Sequence, residues 1–240
     1  MPIKRPPLSN GEIYHIVIRA IEGLKLFREE KDNFRMVHDL FEFNNEVSVL
    51  SSFRNTVNRS RTVLDSLPRE RREPRKLLVE ILAFCLMPNH VHLLVRQLKD
   101  GGISKFMRKI GAGYGGYYNK KYQRSGHLFQ GKYRIVHVKD DRQLLTVFVY
   151  IHTNPVAIIC PKWKEEGIKI KDLNKVIQFL EEQYRWSSYP DYLGNKNFPS
   201  VTSREFLLET IGEIREAKRF VNDWLQHKKE LADYKEVAIE

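Results

Sequence analysis

The run Met87-Pro88-Asn89-His90-Val91-His92-Leu93-Leu94-Val95 sets two histidines two residues apart in a stretch that otherwise reads as a buried β-strand. Side chains on a strand alternate faces, so positions i and i+2 project from one side, close enough for two imidazoles to hold one divalent cation. Either the pair does that, or one histidine is a hydrogen-bonded core residue and the other lies at the strand's exposed end. A cation needs a third partner, best sought in Val147-Phe148-Val149-Tyr150-Ile151-His152-Thr153-Asn154-Pro155. Asp140-Asp141-Arg142-Gln143 reads as an acidic helix start and Pro155 as the stop, since the residue before a proline is disfavoured in helical geometry. Tyr150 and Asn154 then stand at i, i+4 on one face of the last turn. Taken alone, that pair also fits a core tyrosine and a helix C-cap.

Four segments in order, Met87 to His92, Gly126-His127-Leu128-Phe129-Gln130-Gly131-Lys132-Tyr133, Tyr150 to Val156, and Trp186-Ser187-Ser188-Tyr189, give the chain a wider likeness. From about Ile13 to about Tyr192 it resembles the single-tyrosine HUH transposases, insertion-sequence enzymes, and within them the REP-associated tyrosine transposases. The resemblance implies that His90, His92 and Asn154 hold a Mg²⁺ or Mn²⁺ ion. It further implies that Tyr150, with the two histidines, cleaves single-stranded or hairpin DNA through a 5′-phosphotyrosine intermediate and rejoins it. The residue types suit that chemistry: a phenol with a reference pKa near 10 is a poor nucleophile at neutral pH and gains from a cation on the phosphate. Two neutral imidazoles and an amide would leave the cation's full double charge facing that phosphate.

Composition fits an acidic polymer as partner. The chain carries 41 Lys+Arg against 30 Asp+Glu, and residues 1–160 hold 27 of the bases and 15 of the acids, a net of +12, leaving −1 for residues 161–240. Gly101 to Lys139 contains nine Lys or Arg and no acid, interleaved with Phe106, Tyr114, Tyr117, Tyr118, Tyr122, Phe129 and Tyr133. Positive charge mixed with rings suits single-stranded nucleic acid, and Lys105, Arg108, Lys109, Lys120, Lys121, Arg124, Lys132 and Arg134 are the DNA-contact candidates. The other reading is a basic solvated face with the rings in the core.

The elements that must position these groups follow from periodicity. Ile13 to Ala20, Leu77 to Leu86, His90 to Arg96 and Tyr133 to Val138 read as strands; Lys31 to Phe43 and Ile103 to Tyr122 read as helices. Glycines 111, 113, 115 and 116 weaken the second helix by up to about 1 kcal/mol each, so close packing there against the sheet or DNA is expected. The order βαββαβ is that of an α+β, ferredoxin-like antiparallel sheet with helices on one face, and the resemblance implies the same fold. Residues 1–160 would form the catalytic domain, with an arginine-rich insertion at about 44–76, and residues 161–240 an accessory, mainly helical C-terminal extension. There Ile168 to Tyr184 and Glu213 to Lys229 read as helices, and Thr202 to Glu205 as a capping box.

RNA-recognition modules share this topology, so a catalytically silent single-stranded nucleic-acid-binding protein is the alternative function. A hydrolase using water as nucleophile would leave Tyr150 idle. Cys85 and Cys160 build no disulfide framework, no stretch approaches the roughly 20 apolar residues of a membrane span, and Met1 to Pro7 lacks a signal-peptide core. A cytoplasmic protein without a membrane partner is expected, and the insertion-sequence relatives imply a possible homodimer.

Overall fold

The structure, a computed structural model, describes residues 5–47 and 75–227; the arginine-rich stretch expected at about 44–76 lies mostly outside them. The elements run β1 (Ile13–Arg19), α1 (Glu30–Phe43), β2 (Val79–Met87), β3 (His90–Gln97), α2 (Gly102–Lys121), β4 (Arg134–Val138) and α3 (Asp141–Thr153). The four strands form one antiparallel sheet in the order β2-β3-β1-β4, the ferredoxin-like arrangement.

Alternation sorts the sheet's side chains between two cores. Tyr14, Ile16 and Ile18 of β1, with Val91, Leu93 and Val95 of β3, pack under α1 and α2 on one face. Two devices hold that layer. Glu29 and Asp32 form a capping box that opens α1. Gly113 lets α2 approach α1, because a Cβ there would run into the Phe43 ring, which explains one of the helix glycines.

The other face carries Leu94 of β3 and Leu82 and Cys85 of β2, and it is covered by Val147, Phe148 and Ile151 of α3. Burying each of these α3 side chains stabilises the fold by about 1.5–3 kcal/mol. The chain after α3 completes this second layer. Short helical turns at Val156–Ile159 and Trp163–Glu166 lead to α4 (Ile170–Gln178), which widens into a π-helical turn at Phe179–Gln183. Residues 185–188 then run antiparallel along the free edge of β2, with Trp186 O accepting from Leu86 N and Phe84 O from Ser188 N. A turn at Tyr189–Tyr192 precedes α5 (Glu205–Ile211) and α6 (Glu213–His227). Leu207, Val221, Trp224 and Leu225 of these last helices share one core with Leu82 and Leu94 of the sheet.

Two local expectations are corrected. Asn154 keeps helical geometry (φ −52°, ψ −39°) although a proline follows it. Pro155 opens the next short turn, where a missing N–H costs little, so the chain bends without breaking the face that Tyr150 and Asn154 share. At the start of α5 no side chain caps the helix, because the Thr202 hydroxyl accepts from the Arg204 guanidinium instead. Among the described residues, no helix is long and apolar enough to cross a membrane.

Candidate active site

The two-residue turn Pro88-Asn89 fixes the start of β3, and the loop after β1 locks onto it: Asn89 O accepts from Ala20 N and Pro88 O from Leu26 N. From that anchored turn His90 and His92 project to the α3 side of the sheet, opposite Arg19 and Val17 of β1. Their ring centroids are 4.7 Å apart. Asn89 Oδ1 lies 2.6 Å from Nδ1 of His90, and since an amide oxygen only accepts, that nitrogen carries the proton. Nδ1 of His92 shares a hydrogen bond of 3.0 Å with Nε2 of His15 on β1. Both Nδ1 atoms are thus engaged, while both Nε2 atoms are buried without a hydrogen-bond partner.

Neither ring lies at an exposed strand end, the alternative open for one of them in the sequence; His90 is 7% exposed and His92 fully buried. Burial, with the charges of Arg19 and Lys164, lowers the His90 pKa to about 3. Burial, followed by the other two histidines and the same cations, holds His92 well below the ordinary imidazole value. Neutral imidazoles with Nδ1 tied and Nε2 open are in the ligand state, so this pair fits a divalent cation. Among the described residues no group of three His, Cys, Asp or Glu side chains could hold a metal, so a cation here needs a ligand of another kind.

Tyr150 comes from α3 and presents its ring edgewise to both imidazoles, 5.7 Å from His92 and 5.9 Å from His15 between centroids. One turn on, Asn154 donates from Nδ2 to the Tyr150 carbonyl, and its Oδ1 accepts from Lys164 Nζ at 3.3 Å. The same ammonium stands 5.0 Å from the Tyr150 ring centroid. The structure therefore brings His90, His92, Tyr150 and Asn154 into one neighbourhood, and adds a buried partner, His15, and a cation, Lys164. His152, between Tyr150 and Asn154 in sequence, turns away into the core and shares a hydrogen bond with Ser188 Oγ.

The candidate DNA contacts divide. Lys132 and Arg134, together with Val17, Arg19 and Gln130, line a cavity of about 220 Å³ next to the histidine pair. Lys105, Arg108, Lys109, Lys120 and Lys121 belong to α2, which packs on the opposite face of the sheet, and Arg124 follows it. Lys121 is committed to Asp32 and Glu29, and Lys109 to the Asn45 carbonyl. Arg124 bonds Asn119 Oδ1 and the His127 carbonyl. The rings of that segment are structural as well: Phe106, Tyr114 and Tyr118 are fully buried, and Tyr117 and Tyr122 donate to Asp32.

Three site residues were missed by sequence reasoning. His15 left a signal, a polar side chain inside the apolar run Tyr14-His15-Ile16-Val17-Ile18. Arg19 left a weaker one, at the end of that strand. Lys164 left none, since only folding brings the turn at Trp163–Glu166 back to α3.

A family model described as "Transposase IS200 like" matches residues 12–154. None of the curated proteins matches the chain. Among solved structures the fold is similar to that of a REP-associated tyrosine transposase bound to a REP hairpin. That likeness has 13% identity and a TM-score of 0.47, over 85% of this chain and 93% of that one.

Proposed function

The chain belongs to the IS200-like transposase family, whose general activity is DNA cleavage and transfer, and from that premise we propose that Tyr150 cleaves and rejoins single-stranded DNA. The observation that carries this reading is the pair of buried, partnerless Nε2 atoms of His90 and His92 beside the Tyr150 ring. A binding-only protein has no use for them, and leaving such atoms unpaired costs about 1–3 kcal/mol each.

In this reading Tyr150 Oη attacks the phosphorus and the bond from phosphorus to the 3′-oxygen breaks. The phenol proton passes to solvent, the departing oxygen gains a proton, and the products are a 5′-phosphotyrosine and a free 3′-hydroxyl. Attack by a 3′-hydroxyl on the phosphotyrosine reverses the step and restores Tyr150. His90, His92 and Asn154 would hold a Mg²⁺ or Mn²⁺ ion, which when bound polarises the scissile phosphate. Asn89 and His15 keep the imidazoles oriented through Nδ1. Lys164 supplies a fixed positive charge at the nucleophile, where negative charge passes during transfer. Arg19, Lys132 and Arg134 would take neighbouring phosphates, which places the strand on the α3 side of the sheet rather than along α2.

Incubation of the protein with end-labelled single-stranded or hairpin DNA and Mn²⁺, resolved on a denaturing gel, tests the reading. An adduct that maps to the Tyr150 peptide is expected; cleavage with no protein-linked product would replace Tyr150 by water as the nucleophile.

A further inference from the structure

Arg185, a surface cation, stands over three aromatic rings. Its guanidinium carbon lies 5.1 Å from the ring centroid of Phe34 and 5.3 Å from those of Trp186 and Phe198. The rings form a cluster of their own: Trp186 is stacked on Phe198 at 6.0 Å and meets Phe34 edgewise at 5.0 Å. Phe34 is 41% exposed, Trp186 and Phe198 are half-buried, and Arg185 is open to solvent. Among the described residues no carboxylate pairs with Arg185 and no hydrogen bond uses its guanidinium. Its donors are therefore available on top of an aromatic surface.

The platform is in register with the site. Cys85 bridges Ser187, so the register carried two residues on sets Arg185 beside Met87, and Met87 pairs with His90, which pairs with Arg19. At about 4.8 Å per strand, Arg185 stands roughly 10 Å from His90 at the backbone, on the side away from Arg19. That row, Arg19, His90, Met87, Arg185, is one of backbone positions: the Arg185 side chain folds over Phe34 of α1, so the platform stands at the sheet edge on the α1 side, whereas His90 faces α3. Exposed rings under an unpaired guanidinium match the flat face of a base and the phosphate next to it.

We propose that Arg185, Phe34, Trp186 and Phe198 form a stacking site for one unpaired base of a DNA strand that leaves the histidine site over this edge of the sheet, with the guanidinium taking the adjoining phosphate. The site rests on the reading that single-stranded DNA is the substrate. It lies, apart from Phe34, outside the family-matched residues 12–154.

The test uses the full chain and a series of single-stranded oligonucleotides with 2-aminopurine moved one position at a time. In the wild type, fluorescence is quenched at one position near the cleaved bond. Phe34→Ala and Arg185→Gln, both at exposed positions and checked for unchanged melting, should relieve that quench. They should weaken binding about tenfold, with Arg185→Gln also lowering the salt slope by about one. Unchanged quench and affinity in both variants would overturn the site. So would a change in oligomeric mass by light scattering with DNA affinity intact, which would mark the rings as a contact between copies. Covalent capture by the wild type is scored in parallel. An adduct without a position-specific quench sinks the platform alone, whereas a variant-sensitive quench without an adduct keeps the platform and sinks Tyr150 cleavage.

Discussion

Nε2 of His15 and Nδ1 of His92 share a 3.0 Å hydrogen bond inside the sheet, so the buried His92 ring is oriented by a second histidine rather than by a carboxylate. A neutral orienting partner adds no negative charge, and a cation held at the free Nε2 atoms would keep its full charge toward a phosphate.

His15→Ala is therefore expected to lower Mn²⁺ affinity about 10- to 100-fold, the usual effect of removing a ligand's supporting partner. His15→Gln, which can still reach Nδ1, should recover part of it. Isothermal titration with Mn²⁺ in the absence of DNA checks this. His92→Ala should in addition cost about 1–3 kcal/mol of stability, because it removes a buried ring and its hydrogen bond to His15; His90→Ala, nearer the surface, should cost less.

Lys164 touches both Asn154 Oδ1 and the Tyr150 ring face. Lys164→Met is expected to slow single-turnover adduct formation about 10- to 100-fold while leaving DNA affinity nearly unchanged, and Lys164→Arg to retain part of the rate. Equal loss of rate and affinity would make it an ordinary DNA contact.

The salt dependence of DNA binding separates the two basic surfaces. Replacing Arg19 and Arg134 by alanine should reduce the slope of log affinity against log salt by about two, whereas Arg108→Ala with Lys120→Ala on α2 should leave it unaltered. Filter binding at a series of salt concentrations decides, and the opposite pattern would move the strand to α2.

Asp32 couples acid to stability. Burial alone would raise its pKa, but hydrogen bonds from Lys121, Tyr122 and Tyr117 and the backbone amide of Glu29 outweigh burial and lower it from 3.8 to about 2. A folded value below the unfolded one means a contribution present in full above about 4 and lost as pH falls toward 2. Urea unfolding should show the wild type losing stability over that window more steeply than Asp32→Asn, which should already be weaker at pH 7 by about 1–3 kcal/mol.

How much of this was legible in the sequence depended on whether the signal was local. The strand pair His90/His92 and the Tyr150/Asn154 turn follow from periods of two and of nearly four, and the sheet order follows from βαββαβ. The basic surface beside the histidines was not legible, because charge density along α2 does not reveal that α2 packs on the far face or that Asp32 engages Lys121 and two tyrosines. Of the basic residues beside the histidines, Arg19 is more than 100 positions from Lys132 and Arg134 and meets them only through the pairing of β1 with β4. Lys164 and Arg185 likewise reach the site and the sheet edge through turns that have no sequence period.

Tyr150→Phe is the most direct test of the nucleophile. It removes one oxygen and keeps the ring that packs edgewise on His92 and His15, so folding, Mn²⁺ binding and DNA affinity should fall by no more than the loss of one hydrogen bond, about 0.5–1.5 kcal/mol. With labelled single-stranded hairpin DNA and Mn²⁺, the wild type should give a protein–DNA adduct on a denaturing gel and Tyr150→Phe should give none. An adduct that persists in Tyr150→Phe, or that maps by mass spectrometry to a peptide containing Tyr114, Tyr117, Tyr118 or Tyr122, would contradict the assignment.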